Sequence, residues 1–248
     1  MSENSTLVVV GAKGRMGQRL ISLAPEQGFT SVVGVDHDGP TLSETLSRGA
    51  ACVVDFSVRA QIPGTAQCCI EYGVPFVMGT TGLDAADHAV LDQASSTVPV
   101  VWAPNFSVGV NTLFALVSEA ARMLGEGWDV ELVEAHHRRK VDAPSGTARE
   151  LARRVAAARG WELDAVARYG REGDVGARPA DQLGVSVVRG GSVVGDHEVR
   201  LLGDGEQLIL EHRAGDRDIF VLGALRACRW LVQTTPKAGR YGMTDVLR

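Results

Sequence analysis

The chain has 248 residues, 45% of them hydrophobic, which suffices for one large or two modest domains with proper cores. A formal net charge of −5 excludes a global field favouring nucleic acid or an anionic membrane surface. Four cysteines with no C-x-x-C pair and no metal-ligand spacing read as buried thiols in a reducing compartment.

No charged-then-apolar leader opens the chain, and no apolar run approaches membrane-spanning length. The expectation is a cytoplasmic protein with neither a membrane nor a nucleic-acid partner.

Thr6 to Val10 is a β-branched and apolar run, the pattern of a strand buried on both faces. It leads into Gly11, Ala12, Lys13, Gly14, Arg15, Met16 and Gly17, and then into a helical segment to about Leu23. The next apolar run, Ser31 to Val35, ends in Asp36, nineteen residues after Gly17. Strand, glycine turn, helix, strand and terminal acid make a dinucleotide-binding βαβ unit, in which the glycines admit a pyrophosphate and the acid binds a ribose. The spacing is G-x-x-G-x-x-G, so strand context and acid carry the reading more than the glycines do. Asp36 opposes a 2′-phosphate and favours NADH. His37 reads equally as a phosphate contact or a solvated loop residue, which leaves NADH and NADPH both open. The polar stretch from Asp38 to Gly49 has room for a loop with one helical turn.

Strands at α/β spacing follow, at Ala51 to Phe56, Pro75 to Met78 and Val98 to Trp102, with helices at about Ala60 to Tyr72 and Ala85 to Ser95. Two strand tips, Gly79, Thr80 and Thr81, and Ala103, Pro104, Asn105 and Phe106, are the segments suited to the nicotinamide half. Open parallel sheets bind ligands at that carboxyl edge. Ordinary turn chemistry would account for Gly-Thr-Thr-Gly equally well in the absence of the upstream βαβ unit.

The pattern then changes. Val110 to Leu124 is an amphipathic helix, Asp129 to Ala135 a strand, and Gly146 to Arg159 a second helix stopping at Gly160. Tyr169 to Pro179 is glycine- and charge-rich and reads as mobile, with Gly170 to Gly176 a lid candidate. Val185 to Val188, Val193 to Leu202 and Gln207 to His212 suggest an antiparallel or mixed sheet. A helix from Asp218 to Val232 and a polar tail finish the chain. The layout is α/β: a parallel-sheet dinucleotide-binding domain over residues 1–106 and 217–248, with an inserted α+β, mixed-sheet domain over 107–216.

Between strand and helix stands EAHHRRKVDAPSGTA, Glu134 to Ala148. Thr147 and Glu150 fit a capping box, and free N–H groups at Gly146 and Thr147 make a carboxylate or phosphate site. Lys140 adds a point charge, His137 a further donor, and His136, when protonated, a general acid. Singly, such residues are more often satisfied or solvated; crowded before a helix N-terminus they read as a site. No metal site is expected, since adjacent histidines cannot easily chelate one ion.

These stretches resemble the bacterial 4-hydroxy-tetrahydrodipicolinate reductase (dihydrodipicolinate reductase) family. GAKGRMG from Gly11, GTTG from Gly79, APNFSVGVN from Ala103, EAHHRRKVDAPSGTA from Glu134, RGGSVVGDHEV from Arg189 and the ending around Tyr241 carry the likeness over nearly the whole chain. The resemblance implies a Rossmann-type cofactor domain interrupted by a substrate and tetramerisation domain, the last helix rejoining the first domain. Cofactor contacts fall on Gly11 to Gly17, Asp36, Gly79 to Thr81 and Ala103 to Phe106. His136 takes the proton-donor role with Lys140 as a second donor, and His137, Lys140, Gly146 and Thr147 take the carboxylates of a dicarboxylate substrate bound between the domains. His37 stands where many members carry an arginine, and the segment after Asp36 is shorter than in many. Another NAD(P)-linked dehydrogenase, an NAD(H)-sensing regulator and a metal-dependent hydrolase are the competing readings. The first should lack the double histidine, the second needs a partner-binding module, and the third needs ligands the chain does not assemble.

Overall fold

Thr6–Val10 forms strand β1, and its alternate residues enter two cores. Leu7 and Val9 pack with Leu20, Val221, Ala224 and Leu225, while Val8 and Val10 pack with Leu46, Ile62, Ala66 and Leu91. Burial on both faces accounts for an unbroken apolar strand.

The computed structural model describes residues 5–248. Among them the chain divides into two units, one running to Val108 and resuming over Asp218–Arg248, the other Gly109–Arg217. In the first unit, β1 is followed by α1 (Arg15–Leu23), β2 (Ser31–Val35), α2 (Leu42–Leu46), β3 (Cys52–Asp55), α3 (Ile62–Tyr72), β4 (Phe76–Met78), α4 (Ala85–Ser95) and β5 (Pro99–Trp102). The second unit holds α5 (Val108–Leu124), β6 (Asp129–His136), α6 (Gly146–Arg159), α7 (Leu163–Val166), β7 (Ala167–Tyr169), β8 (Leu183–Arg189), β9 (Asp196–Gly203) and β10 (Glu206–Arg213). The chain ends in the first unit with α8 (Asp218–Thr234), β11 (Gly239–Tyr241) and α9 (Met243–Val246).

The first sheet has six strands in the order β11-β5-β4-β3-β1-β2, all paired in parallel. The order reverses at β1, flanked by β2 and β3, so the topological switch point lies outside the carboxyl ends of β1 and β3. The polar tail departs from expectation: Gly239–Tyr241 is an edge strand, pairing with Pro99, Val100 and Val101 of β5.

The second sheet is mixed, in the order β10-β9-β6-β8-β7. Successive strands β8 and β9 are not neighbours; β6 lies between them, parallel to β8 and antiparallel to β9. Burial alternates along β6, with Val130, Leu132, Glu134 and His136 turned inward. Val130 and Leu132 meet Leu113, Phe114 and Val117 of α5 and Leu151 and Val155 of α6. Glu134 and His136 therefore continue the covered face beyond the end of the apolar core.

Tyr169 to Pro179, expected to be mobile, is tied to β6 at both ends. Arg171 donates to both oxygens of Glu131 at 2.9 and 2.7 Å, and Arg178 to Asp129 at 2.6 Å and Glu131 at 3.1 Å. All four cysteines are free thiols, three of them buried and Cys68 half-buried.

Candidate active site

In the first unit, Gly11 turns at φ +79°, and Gly11 and Ala12 both donate their N–H to Val35 O, at 3.1 and 3.2 Å. A Cβ on Gly17 would lie 2.1 Å from Gly11 O, so only glycine lets α1 approach the turn this closely. Gly14, the N-cap of α1, offers no side-chain cap, and the amides that open the helix form a ready anion site.

Asp36 accepts from Lys13 N at 2.8 Å, His37 N at 2.9 Å and His37 Nδ1 at 2.7 Å. The Lys13 amide, then the His37 amide and ring, lower its carboxyl to about 2. The Lys13 ammonium pairs with Asp38, and the His37 ring, largely in solvent, leans on Asp36. A cavity of about 630 Å³ opens here, lined by the ends of β1, β2 and β3 through Gly11, Asp36, Phe56 and Ser57, and by Gly39, Thr41 and Leu42. It suits the adenosine half of a dinucleotide: apolar walls, a backbone phosphate cradle and an ionised acid at the β2 tip.

Asp55, fully buried at the end of β3, accepts from Ser57 N at 2.8 Å, Ser57 Oγ at 2.6 Å and Thr65 Oγ1 at 2.6 Å, so it shapes the wall of that cavity. Burial raises its carboxyl, against those hydrogen bonds. At the tip of β4 the Thr80 hydroxyl is buried without a hydrogen-bond partner, beside Gly79, where a Cβ would strike the Phe56 ring. An orphaned hydroxyl over a glycine is what a carboxamide such as that of nicotinamide can satisfy. Phe106 is buried with its ring 5.9 Å from that of Phe56, and Asn105 Oδ1 accepts from Ser107 N at 2.8 Å. Ala103 is buried, while Pro104, Arg15 and Thr81 are exposed and Met16 packs on the core.

In the second unit the parallel pairing of β6 and β8 sets His136 opposite Arg189, and the antiparallel pairing sets Glu134 opposite His197. Glu134, fully buried, is the hub. Its Oε2 contacts His136 Nδ1 at 2.6 Å, and its Oε1 accepts from Ser145 N at 2.9 Å. Arg189 Nη1 and Nη2 donate one to each oxygen, both at 2.8 Å. Burial alone would raise the Glu134 carboxyl; hydrogen bonds from His136, Arg189 and the Ser145 amide outweigh it and hold it at about 2.

Ser145 Oγ lies 3.0 Å from His197 Nε2 and accepts from Ala148 N at 3.1 Å. Ser145 is therefore the N-cap of α6, and the expected capping box at Thr147 does not form. Glu150 instead pairs with Arg153 and Arg154. Gly146 and Thr147 are the first two residues of the helix, so their amides stand at its positive end. Lys140 Nζ pairs with Asp142 at 2.8 Å in the loop before it. His137 is half-buried with Nδ1 unpartnered, its pKa lowered by burial and by neighbouring cations Arg139 and Arg217.

Glu134, Ser145, Arg189, Gly195 and His197 receive no role from the sequence reading. The period-two alternation along β6, which places Glu134 beside His136, was the available signal for the first. The others depend on strand pairings across the insertion. Among the described residues no group of three or more His, Cys, Asp or Glu side chains is arranged to hold a metal ion. Nor is any helix of these residues long and apolar enough to cross a membrane.

Two family models match the chain: dihydrodipicolinate reductase, N-terminus, over residues 5–106, and dihydrodipicolinate reductase, C-terminus, over 109–247. The chain belongs to the dihydrodipicolinate reductase family. Among relatives, the 4-hydroxy-tetrahydrodipicolinate reductase of Magnetococcus marinus is 42% identical over 261 residues, covering 96% of this chain and 97% of its own. That of Zymomonas mobilis is 41% identical over 254 residues, covering 100% and 99%. The dipicolinate-bound dihydrodipicolinate reductase of Paenisporosarcina sp. TG-14 superposes with a TM-score of 0.74 at 20% identity, covering 98% of this chain and 99% of that one, a likeness of fold. As a dihydrodipicolinate reductase the chain is an oxidoreductase of lysine and diaminopimelate biosynthesis that uses NAD(P)H.

Proposed function

We propose that the first unit binds the cofactor through Gly11 to Gly17, Asp36, Gly79 to Thr81 and Ala103 to Phe106, and that the second binds and protonates the substrate. The substrate is the cyclic imine dicarboxylate 4-hydroxy-tetrahydrodipicolinate, which loses its 4-hydroxyl as water to give a conjugated imine. The bound NAD(P)H supplies the hydride that C4 accepts. Electron density then moves to C3 and the ring nitrogen, and His136 delivers the proton that completes the reduction, with Lys140 as the alternative donor. Lys140, His137 and the Gly146 and Thr147 amides orient the carboxylates, so positioning contributes much of the rate. Arg189 and Glu134 hold His136 in place.

The observation that carries this reading is that one carboxylate, Glu134, grips both the His136 ring and the amide that opens α6. Proton donor and anion site are thereby built as one piece. The reading extends to a cytoplasmic homotetramer assembled through the second sheet. Its edge strand β10 is solvated along most of its length, with Leu208 and Ile209 exposed, and sedimentation at graded concentrations tests that assembly. The functional test supplies freshly made 4-hydroxy-tetrahydrodipicolinate and follows NADH and NADPH oxidation separately, for wild type and Lys140→Ala. Oxidation by wild type, with turnover lowered by about 10²–10³-fold in Lys140→Ala and cofactor affinity retained, is expected. Oxidation of neither cofactor would refute the reading.

A further inference from the structure

The proton of His136 has two nitrogens to leave from, and the surroundings of the ring distinguish them. Nδ1 faces Glu134 Oε2 at 2.6 Å. That carboxylate is clamped by both Nη atoms of Arg189 and by the Ser145 amide, a set of donors that requires it to be ionised. An ionised carboxylate only accepts, so Nδ1 must carry a hydrogen in every protonation state of the ring. Nε2 points elsewhere. A Cβ built on Gly195 would stand 2.9 Å from Nε2 and 3.4 Å from Cδ2 of His136, so the space at Nε2 exists because residue 195 has no side chain. Gly195 lies just before β9, where the Ala214 amide donates to its carbonyl at 3.0 Å, which fixes its backbone against the ring. Its φ is not in the left-handed region, so backbone conformation gives no reason for glycine there.

We infer that Nε2 is the atom of His136 that gives up the catalytic proton, that Glu134 is the positioning residue that dictates this, and that Gly195 is glycine to keep Nε2 open to the substrate. The inference rests on the proposal that His136 is the proton donor. In the reaction the Nε2–H bond breaks as the C3–H bond forms, the electron pair of the enamine makes that bond, and the ring is left neutral with its hydrogen on Nδ1. Solvent returns the proton to Nε2 before the next turnover, and no further oxidant or reductant enters. The His197 ring stands edge to face with His136 at 5.2 Å on the remaining side, so neither nitrogen can exchange roles by a ring flip without displacing His197 or breaking the Glu134 contact.

The test reads the tautomer and the rate independently. In full-length protein labelled with ¹⁵N-histidine, and assigned with His136→Asn, the neutral form of His136 should show the Nδ1–H tautomer; the Nε2–H tautomer would overturn the inference whether or not the protein is active. Glu134→Gln, whose amide can either accept or donate, should yield a mixture of tautomers. In Gly195→Ala, kcat should fall by about 10²–10⁴-fold, the span of a lost general acid, while NADH affinity and the Nδ1–H signature persist. A Gly195→Ala enzyme with kcat within about twofold of wild type would overturn the role of Gly195. The wild-type spectrum keeps the question decidable even where a variant does not fold. Absence of turnover in wild type would refute the proposed function and leave the tautomer result standing.

Discussion

His136 and His197 meet edge to face, 5.2 Å between ring centroids, one from β6 and one from β9. Two imidazoles this close cannot both be charged cheaply, and burial first, then the neighbouring His136, lowers the pKa of His197 to about 4. The folded protein keeps His197 neutral, whereas the unfolded chain protonates it near its ordinary value of 6.5. Between 6.5 and about 4 the unfolded state binds more protons, so stability contributed by His197 is full above that window and is lost as pH falls through it. Glu134 acts on the same ring by its negative charge and His212 and Lys140 by positive charge, while Ser145 Oγ lies 3.0 Å from its Nε2. The melting temperature of His197→Gln should therefore fall less steeply than that of wild type across this window. Parallel slopes would contradict the assignment.

Arg189 and Glu134 form a two-bond pair against a fully buried carboxylate. Arg189→Leu leaves that charge without its guanidinium partner and should cost about 3–5 kcal/mol of unfolding free energy, measured by urea denaturation. Arg189→Lys, a point charge without the fork, should lose an intermediate amount. A loss below about 1 kcal/mol for Arg189→Leu, the scale of an exposed ion pair, would contradict the buried clamp.

Gly17→Ala places a methyl 2.1 Å from the Gly11 carbonyl, a backbone atom with no rotamer to yield. Helix α1 must shift from the turn, with an overpacking cost of about 1–3 kcal/mol. Calorimetry should show a lower melting temperature together with weaker NADH binding by titration. Unchanged affinity would mean that the turn does not carry the pyrophosphate.

On the proposed assignment of the β2 tip to the adenine ribose, cofactor choice should depend on Lys13, whose ammonium is paired with Asp38, and on the ionised Asp36 beside it. Asp38→Asn frees the ammonium for a 2′-phosphate. The pair is exposed, so the expected gain in kcat/KM for NADPH is only about two- to fivefold, with NADH little changed. Equal change for both cofactors would show that Lys13 does not discriminate between them.

The first unit was legible because its signals are local. The run Thr6 to Val10, the glycine turn and the acid at Asp36 lie within one βαβ unit, and each is in its expected element. The one-turn helix at Leu42–Leu46 was legible for the same reason, its Thr41 and Glu44 making a reciprocal cap. Edge strand β11 was not, because three residues of mixed polarity become a strand only through their pairing with Pro99, Val100 and Val101. Thr147-x-x-Glu150 matched a capping box in spacing, but Ser145 is held first, by Glu134 through its amide and by His197 through its hydroxyl. His136, His137 and Lys140 could be singled out from their crowding between a strand and a helix N-terminus. The supports of His136, namely Arg189, Gly195 and His197, lie more than fifty residues further along the chain and are brought to Glu134 and His136 by the insertion of β6 between β8 and β9.

The most direct measurement follows a deuterium carried on the transferring position of NADH into the product. Hydride delivery to the conjugated imine predicts deuterium at C4 and a solvent-derived proton at C3. Deuterium at any other carbon, or none in the product, would contradict the account.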